Sequence, residues 1–191
     1  MQNLTLGFAM TGSFCTLAEV IEELESLAMS GAHIIPILSE AVAKTDTRFG
    51  KAADWMAAVC DITGAKPILT IEAAEPIGPK KLLDALIVAP CTGNTLSKIA
   101  NGITDSCVTM AAKAHLRNER PLILSIATND GLSGSAPSLG KLFTRRHVYF
   151  VSFGQDDPGS KPTSLIAHTH MLQPTLEEAL KGRQIQPLLS C

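Results

Sequence analysis

Short apolar runs alternate with stretches of helical spacing along this chain, and that alternation limits the fold more than any other feature. Residues 4–10, 33–38, 85–89, 121–126 and 148–151 have the length and content of buried strands, and 67–71 reads as a shorter one. They are continuously apolar rather than alternating, as in strands covered on both faces. Between the first two, Phe14, Leu17, Ala18, Ile21, Leu24 and Ala28 fall on one helical face, and Gly31 is a stop signal. Residues 52–60, 95–100, 107–116 and 139–145 read as further helices, and 79–84 as a helical approach to the next strand. Thr175 and Glu178 have capping-box spacing for a helix over 175–181. Pro36 suits a sheet edge or bulge, and Pro90 ends its strand. The run 148–151 is expected to be the last strand, 155–163 a surface loop, and the tail beyond Gly182 irregular. Strands alternating with helices predict one α/β domain over 1–191, a doubly wound, mostly parallel sheet with right-handed crossovers and helices on both faces.

Composition narrows the function classes. The net charge is −2 and the largest basic cluster is Arg145-Arg146-His147, too small for a nucleic-acid footprint. No apolar run approaches the ~20 residues that cross a bilayer. The amino terminus lacks the basic start and cleavage site of a signal peptide, so a cytoplasmic protein is expected. Near-neutral charge with 46% hydrophobic residues favours an oligomer. Cys15, Cys60, Cys91, Cys107 and Cys191 are odd in number and widely spaced, which fits neither a zinc site nor a disulfide framework.

Parallel sheets of this kind bind ligands beyond the carboxyl ends of their strands, so the loops after Met10, Leu38, Ala89 and Ile126 are the ones to inspect. Thr11-Gly12-Ser13 opens a helix after the first strand. A glycine there lets the backbone approach a ligand, and hydroxyls at a helix start suit a phosphate, although Gly-Ser is also ordinary turn chemistry. Ser39 stands in the equivalent place after the second strand, where a simple N-cap is the competing reading. The densest feature is residues 89–105, in which a buried strand ends in Pro90-Cys91-Thr92-Gly93-Asn94-Thr95 and a helix begins at once.

That segment resembles the Pro-Ala-Ser-Ala-Asn-Thr motif of the FMN-dependent flavoproteins related to phosphopantothenoylcysteine and lantibiotic-precursor cysteine decarboxylases. Pro90, Asn94 and Thr95 match, Cys91, Thr92 and Gly93 are small variants, and Lys98, Ala100, Gly102 and Asp105 match its extension. Thr11-Gly12-Ser13 is similar to the family's first phosphate loop, and Ser39 to its second hydroxyl. The resemblance implies FMN bound at a subunit interface of a trimer, or of a dodecamer built from trimers. It also implies a cofactor set of Thr11, Gly12, Ser13, Phe14, Ser39, Pro90, Cys91, Thr92, Asn94, Thr95, Thr128 and Asn129. Asn94 would stand near both flavin and a substrate carboxylate.

The departures are specific. The decarboxylases use a histidine after the second strand, whereas no histidine lies between His33 and His115 here. Where the family carries a Met-and-Asn clamp, this chain has Ala127-Thr128-Asn129-Asp130-Gly131-Leu132. Residues 7–15, Arg48-Phe49-Gly50 and 89–95 resemble instead a branch of spore-forming bacteria that works with a different, nicotinamide-binding protein using NAD or NADP. That branch oxidises a dihydropyridine dicarboxylate to the aromatic diacid. Arg48 and Asn94 would then be the catalytic-site groups, since arginine pairs with carboxylates through two hydrogen bonds. A cysteine-conjugate decarboxylase and a non-catalytic subunit keeping the same shell are the alternatives. His168-Thr169-His170 lacks the further ligands a metal needs, so no metal is expected. His115 reads as a cation at a helix end, and Cys15 and Cys91 more as small apolar side chains than as redox groups.

Overall fold

A computed structural model describes residues 1–190. In chain order the elements are β1 (Thr5–Met10), α1 (Leu17–Met29), β2 (His33–Leu38), α2 (Glu40–Lys44), α3 (Ala52–Thr63), α4 (Ile71–Ala74), β3 (Ala85–Cys91), α5 (Gly93–Asn101) and α6 (Cys107–Leu116). They continue with β4 (Leu122–Thr128), α7 (Ala136–Phe143), β5 (Val148–Phe150), β6 (Phe153–Gln155), β7 (Leu165–Ala167) and α8 (Leu172–Leu180). The parallel strands lie in the order β2-β1-β3-β4, and β5 pairs in parallel with the first half of β4. The second half of β4, at Ala127 and Thr128, pairs with the antiparallel hairpin of β6 and β7. Helix α1 packs with α8, and α5 packs with α6 and α7. This is the doubly wound, mostly parallel sheet with helices on both faces that the alternation requires. Every residue of β3 is buried, which explains its uninterrupted apolar sequence.

Several local expectations are corrected. The first helical segment starts as a 3-10 turn over Phe14–Thr16, which resets the phase of α1. Its buried stripe is therefore Leu17, Val20, Leu24 and Leu27, while Ala18 faces out. Pro90 does not end β3, which runs to Cys91. The proline, after a cis peptide, sits where the register against β4 shifts between Val88 and Cys91, so no ladder bond needs its missing N–H. Pro36 does lie on an edge strand, and its carbonyl accepts from Ile68 N at 2.8 Å.

Residues 67–71 contribute only that bridge at Ile68 rather than a strand, because Thr70 already caps α4. Residues 79–84 form a turn in which Lys81 has a positive φ, the helix having ended earlier. The strand β5 is not the last. Thr175 is no cap either. It is buried inside α8, and its hydroxyl donates to Met171 O at 2.6 Å, the i−4 bond open to any helical threonine. A capping box does occur at the start of α6, between Ser106 and Thr109.

His115 is fully buried in the last turn of α6, with Nε2 2.9 Å from Pro121 O and Nδ1 unpartnered. Burial pushes its pKa from 6.5 down to about 4, with the nearby Arg120 acting the same way. It is therefore neutral in the fold and not the dipole-capping cation expected from its position. Because the folded pKa is depressed, the unfolded chain takes up the proton first. Stability is fully present above pH 6.5 and is lost as pH falls toward 4, by up to ~3 kcal/mol. His115→Gln should flatten the decline in urea-unfolding free energy between pH 7 and 4.5. Identical pH profiles for the two proteins would show that another group controls acid lability.

Candidate functional site

Strand order reverses between β1, which leads on to β2 at one side, and β3, which lies at the other. Loops leaving the two strands diverge there and open a crevice, the usual ligand position in doubly wound sheets. A cavity of about 570 Å³ occupies that position, within the range of small-ligand sites. Its walls are Gly12 to Thr16 after β1, Thr92 to Asn94 after β3 and Ala127 to Asp130 after β4. Arg48 and Phe49 add to them, as do Asp156, Lys161, Ser164, Leu165 and Ile166 from the β6–β7 hairpin.

A buried threonine ties the first two walls together. Thr11 Oγ1 donates to Pro90 O at 2.7 Å and accepts from Thr92 N at 3.0 Å. Thr92 then caps α5. Its hydroxyl accepts from Thr95 N at 3.3 Å and donates to Thr95 Oγ1 at 3.1 Å. The 3-10 turn at Phe14 and helix α5 thus begin at these two walls, where first-turn N–H groups and the positive end of the α5 dipole favour an anion. Gly93, in the first turn of α5, is in close contact with the third wall. A Cβ there would stand 2.5 Å from Thr128 Oγ1, 2.7 Å from Ser135 Oγ and 2.8 Å from Asp130 Oδ1. Those three groups form one cluster, since Thr128 and Ser135 both donate to Asp130 Oδ1, at 2.5 and 2.8 Å. The two hydroxyls hold the Asp130 carboxyl below its usual range, so it is a carboxylate steadied through Oδ1.

Arg48 and Phe49 reach the cavity on a tight turn. Thr47 N donates to Gly50 O at 3.0 Å, and Gly50 N returns the bond to Thr47 O at 3.2 Å. Gly50 has φ +154°, and a side chain there would press on the Trp55 ring, so the turn needs glycine. The Arg48 guanidinium lies 4.8 Å from the centre of the Phe49 ring. No described carboxylate forms an ion pair with Arg48.

Of the residues singled out from sequence, Gly12, Ser13, Phe14, Arg48, Thr92, Asn94, Thr128 and Asn129 line this one cavity. Thr11, Ser39, Pro90, Cys91 and Thr95 do not. Thr11, Pro90 and Thr95 are buried behind the wall and brace it. Ser39 N-caps α2, its hydroxyl 3.5 Å from Val42 N. Cys91 is fully buried, and desolvation pushes its thiol up to about 12, which leaves it protonated and unreactive. Cys15 is exposed on the rim, 3.9 Å from Ser13 Oγ. Asp130, Asp156, Lys161, Ser164, Leu165 and Ile166 also line the cavity, without a signal in the sequence that singles them out. The hairpin that carries most of them has strands of three residues, too short for a periodic signal. No histidine lines the cavity. His168 and His170 stand 6.1 Å apart, between ring centres, and belong to another region. Among the described residues no three metal-ligating side chains converge, and no helix is long and apolar enough to cross a membrane.

Comparison with known proteins gives this architecture a context. The chain is 46% identical over 184 residues to the dipicolinate synthase B subunit of Bacillus subtilis (strain 168), covering 96% of this chain and 92% of that one. The crystal structure of the dipicolinate synthase B subunit from Bacillus halodurans superposes with a TM-score of 0.92 at 42% identity, covering 100% of this chain and 97% of that one. The FMN-dependent cysteine decarboxylase SpaF shares the fold, with a TM-score of 0.70 at 18% identity over 94% of this chain and 96% of that one. The Flavoprotein family model matches residues 1–135, which include β1 to β4 and three of the cavity's walls, and the chain belongs to that family.

Proposed function

We propose that the chain acts as the B subunit of a dipicolinate synthase, with FMN in the cavity beyond β1 and β3. Its partner would be a nicotinamide-binding A subunit using NAD or NADP. Together they would oxidise a dihydrodipicolinate-type precursor to pyridine-2,6-dicarboxylate during sporulation. The observation that carries this reading is the lining of the cavity. Gly12, Ser13 and Thr92, near the starts of the 3-10 turn and α5, are a donor set suited to a phosphate. Phe14, Ala127, Leu165 and Ile166 add apolar surface suited to a flat ring. Similarity to the B subunits of dipicolinate synthases across nearly the full length supports the same reading.

Oxidation of the dihydropyridine would pass one hydride from the ring to the acceptor and release one proton to solvent, driven by aromatisation. Bound FMN, or the nicotinamide of the partner, supplies two-electron acceptor chemistry. The residues of this chain bind and orient. Gly12, Ser13, Thr92 and the α5 N-terminus would hold the phosphate, with Thr11 and Thr95 bracing them from behind. Thr128 and Asn129 would close the third side. Asn94 and Arg48 would receive substrate carboxylate. The lining holds no imidazole that could exchange a proton near neutral pH, which favours oxidation over a histidine-assisted decarboxylation. Homo-oligomeric assembly into trimers or dodecamers is proposed from the family resemblance, a dodecameric FMN-dependent UbiX-like decarboxylase being among the proteins that share the fold.

The test is reconstitution. Mixed with the A subunit, precursor and nicotinamide nucleotide, the flavin-loaded protein should yield the pyridine diacid, and flavin-stripped protein should not until FMN is restored. Full activity from a flavin-free preparation would favour a scaffold role, and carbon dioxide without oxidised pyridine a decarboxylase. Thr92→Val removes the hydroxyl that caps α5 at Thr95. It should weaken FMN binding roughly tenfold, read from flavin fluorescence on dilution. Unchanged affinity would remove Thr92 from the phosphate site.

A further inference from the structure

Resting on the dicarboxylate reading of the proposed function, we infer that Lys161 is a second substrate-carboxylate ligand opposite in origin to Arg48, and that this pair sets selectivity for a diacid over a monoacid. Only two cationic side chains line the cavity, Arg48 and Lys161, and they arrive on separate segments. Arg48 comes from the turn after α2, and Lys161 from the loop joining β6 to β7. Each carboxylate in the lining has one oxygen engaged. Asp130 accepts from Thr128 and Ser135, and Asp156 accepts from Lys161 Nζ at 2.6 Å. An ammonium has three donors, so Lys161 keeps two for a ligand while Asp156 orients it. Arg48 is free of any described ion pair and retains its whole fork for a carboxylate.

The loop that carries Lys161 is fastened rather than loose. Asp157 Oδ1 accepts from Gly159 N at 3.2 Å and from Ser160 N at 3.1 Å, and Lys161 N donates to Asp157 O at 2.7 Å. At its far end Thr163 Oγ1 donates to Asn129 O at 2.7 Å, and Leu132 N donates to Thr163 O at 3.0 Å. These bonds dock the loop on the segment after β4, which is itself a cavity wall. The loop is thus held at the site and Asp156 steadies the Lys161 ammonium, and preorganised charge gives up less on binding. A planar ring with two carboxylates can engage both cations at once, whereas a monoacid can use only one.

Calorimetric titration of the FMN-loaded full chain with pyridine-2,6-dicarboxylate and with pyridine-2-carboxylate tests this. Lys161→Met, which keeps the aliphatic stem, should weaken the diacid about tenfold or more while changing the monoacid little. Arg48→Met should do likewise, and Lys161→Arg should restore most of the selectivity. Flavin absorbance of each variant reports an intact pocket. If Lys161→Met keeps the wild-type ratio of diacid to monoacid affinity, the Lys161 assignment is overturned. Turnover of the wild type with its A subunit in that same case would leave the proposed function standing. Failure of the wild type to bind the diacid at all would overturn both.

Discussion

One side-chain hydroxyl joins the parts on which the site depends. Thr11 sits at the first residue past β1 and bonds to Pro90 O and Thr92 N beyond the middle of the sheet. Parallel strands pair along their length, but their loops diverge at the point where strand order reverses. A buried tie there fixes how far the β1 and β3 loops separate, and so the width of the crevice. Thr92 then passes that placement to α5 through its cap. Gly93 passes it to the third wall, because only a residue without a side chain lets α5 meet Thr128, Asp130 and Ser135. The cavity is therefore a consequence of sheet topology, held by a few short bonds rather than by loop sequence alone.

The fold was legible because the information that specifies it is repetitive. Five apolar runs and their helical spacers agree on one architecture, and errors of phase or boundary in any one of them leave it unchanged. Local chemistry was less legible. Thr175 and Glu178 have the spacing of a cap, yet a threonine hydroxyl bonds equally well to the turn behind it, and burial decided between the two. Pro90 looked like a terminator until the register shift made its absent N–H harmless. His115 looked like a charge at a helix end until burial made the charge costly. In each case a neighbour distant in sequence settled the outcome.

The site divided along the same line. Residues on the loops after β1, β3 and β4 were visible from sequence, since strand ends in a parallel sheet point to one side. Those on the β6–β7 hairpin were not, because its strands are three residues long and its loop is merely polar. Yet that hairpin supplies one wall of the cavity and brings Lys161 to it. Several members of the motif resemblance, such as Thr11, Pro90 and Thr95, turn out to brace the wall from behind. Ser39 caps a helix outside the lining. A motif can thus mix residues that line a cavity with residues that hold the first kind in place.

The lining describes a binding site more than an acid–base machine. Asp130 is held by two hydroxyls, Asp156 pairs with Lys161, and no imidazole lines the cavity, so it suits chemistry in which a bound cofactor accepts electrons and the protein orients a charged ring. That places the weight on flavin. Mass spectrometry of the ligand released from freshly purified protein, with stoichiometry from the visible flavin spectrum, asks the question directly. One FMN per chain is expected. A colourless protein that releases no flavin and takes up none when FMN is added would contradict the assignment.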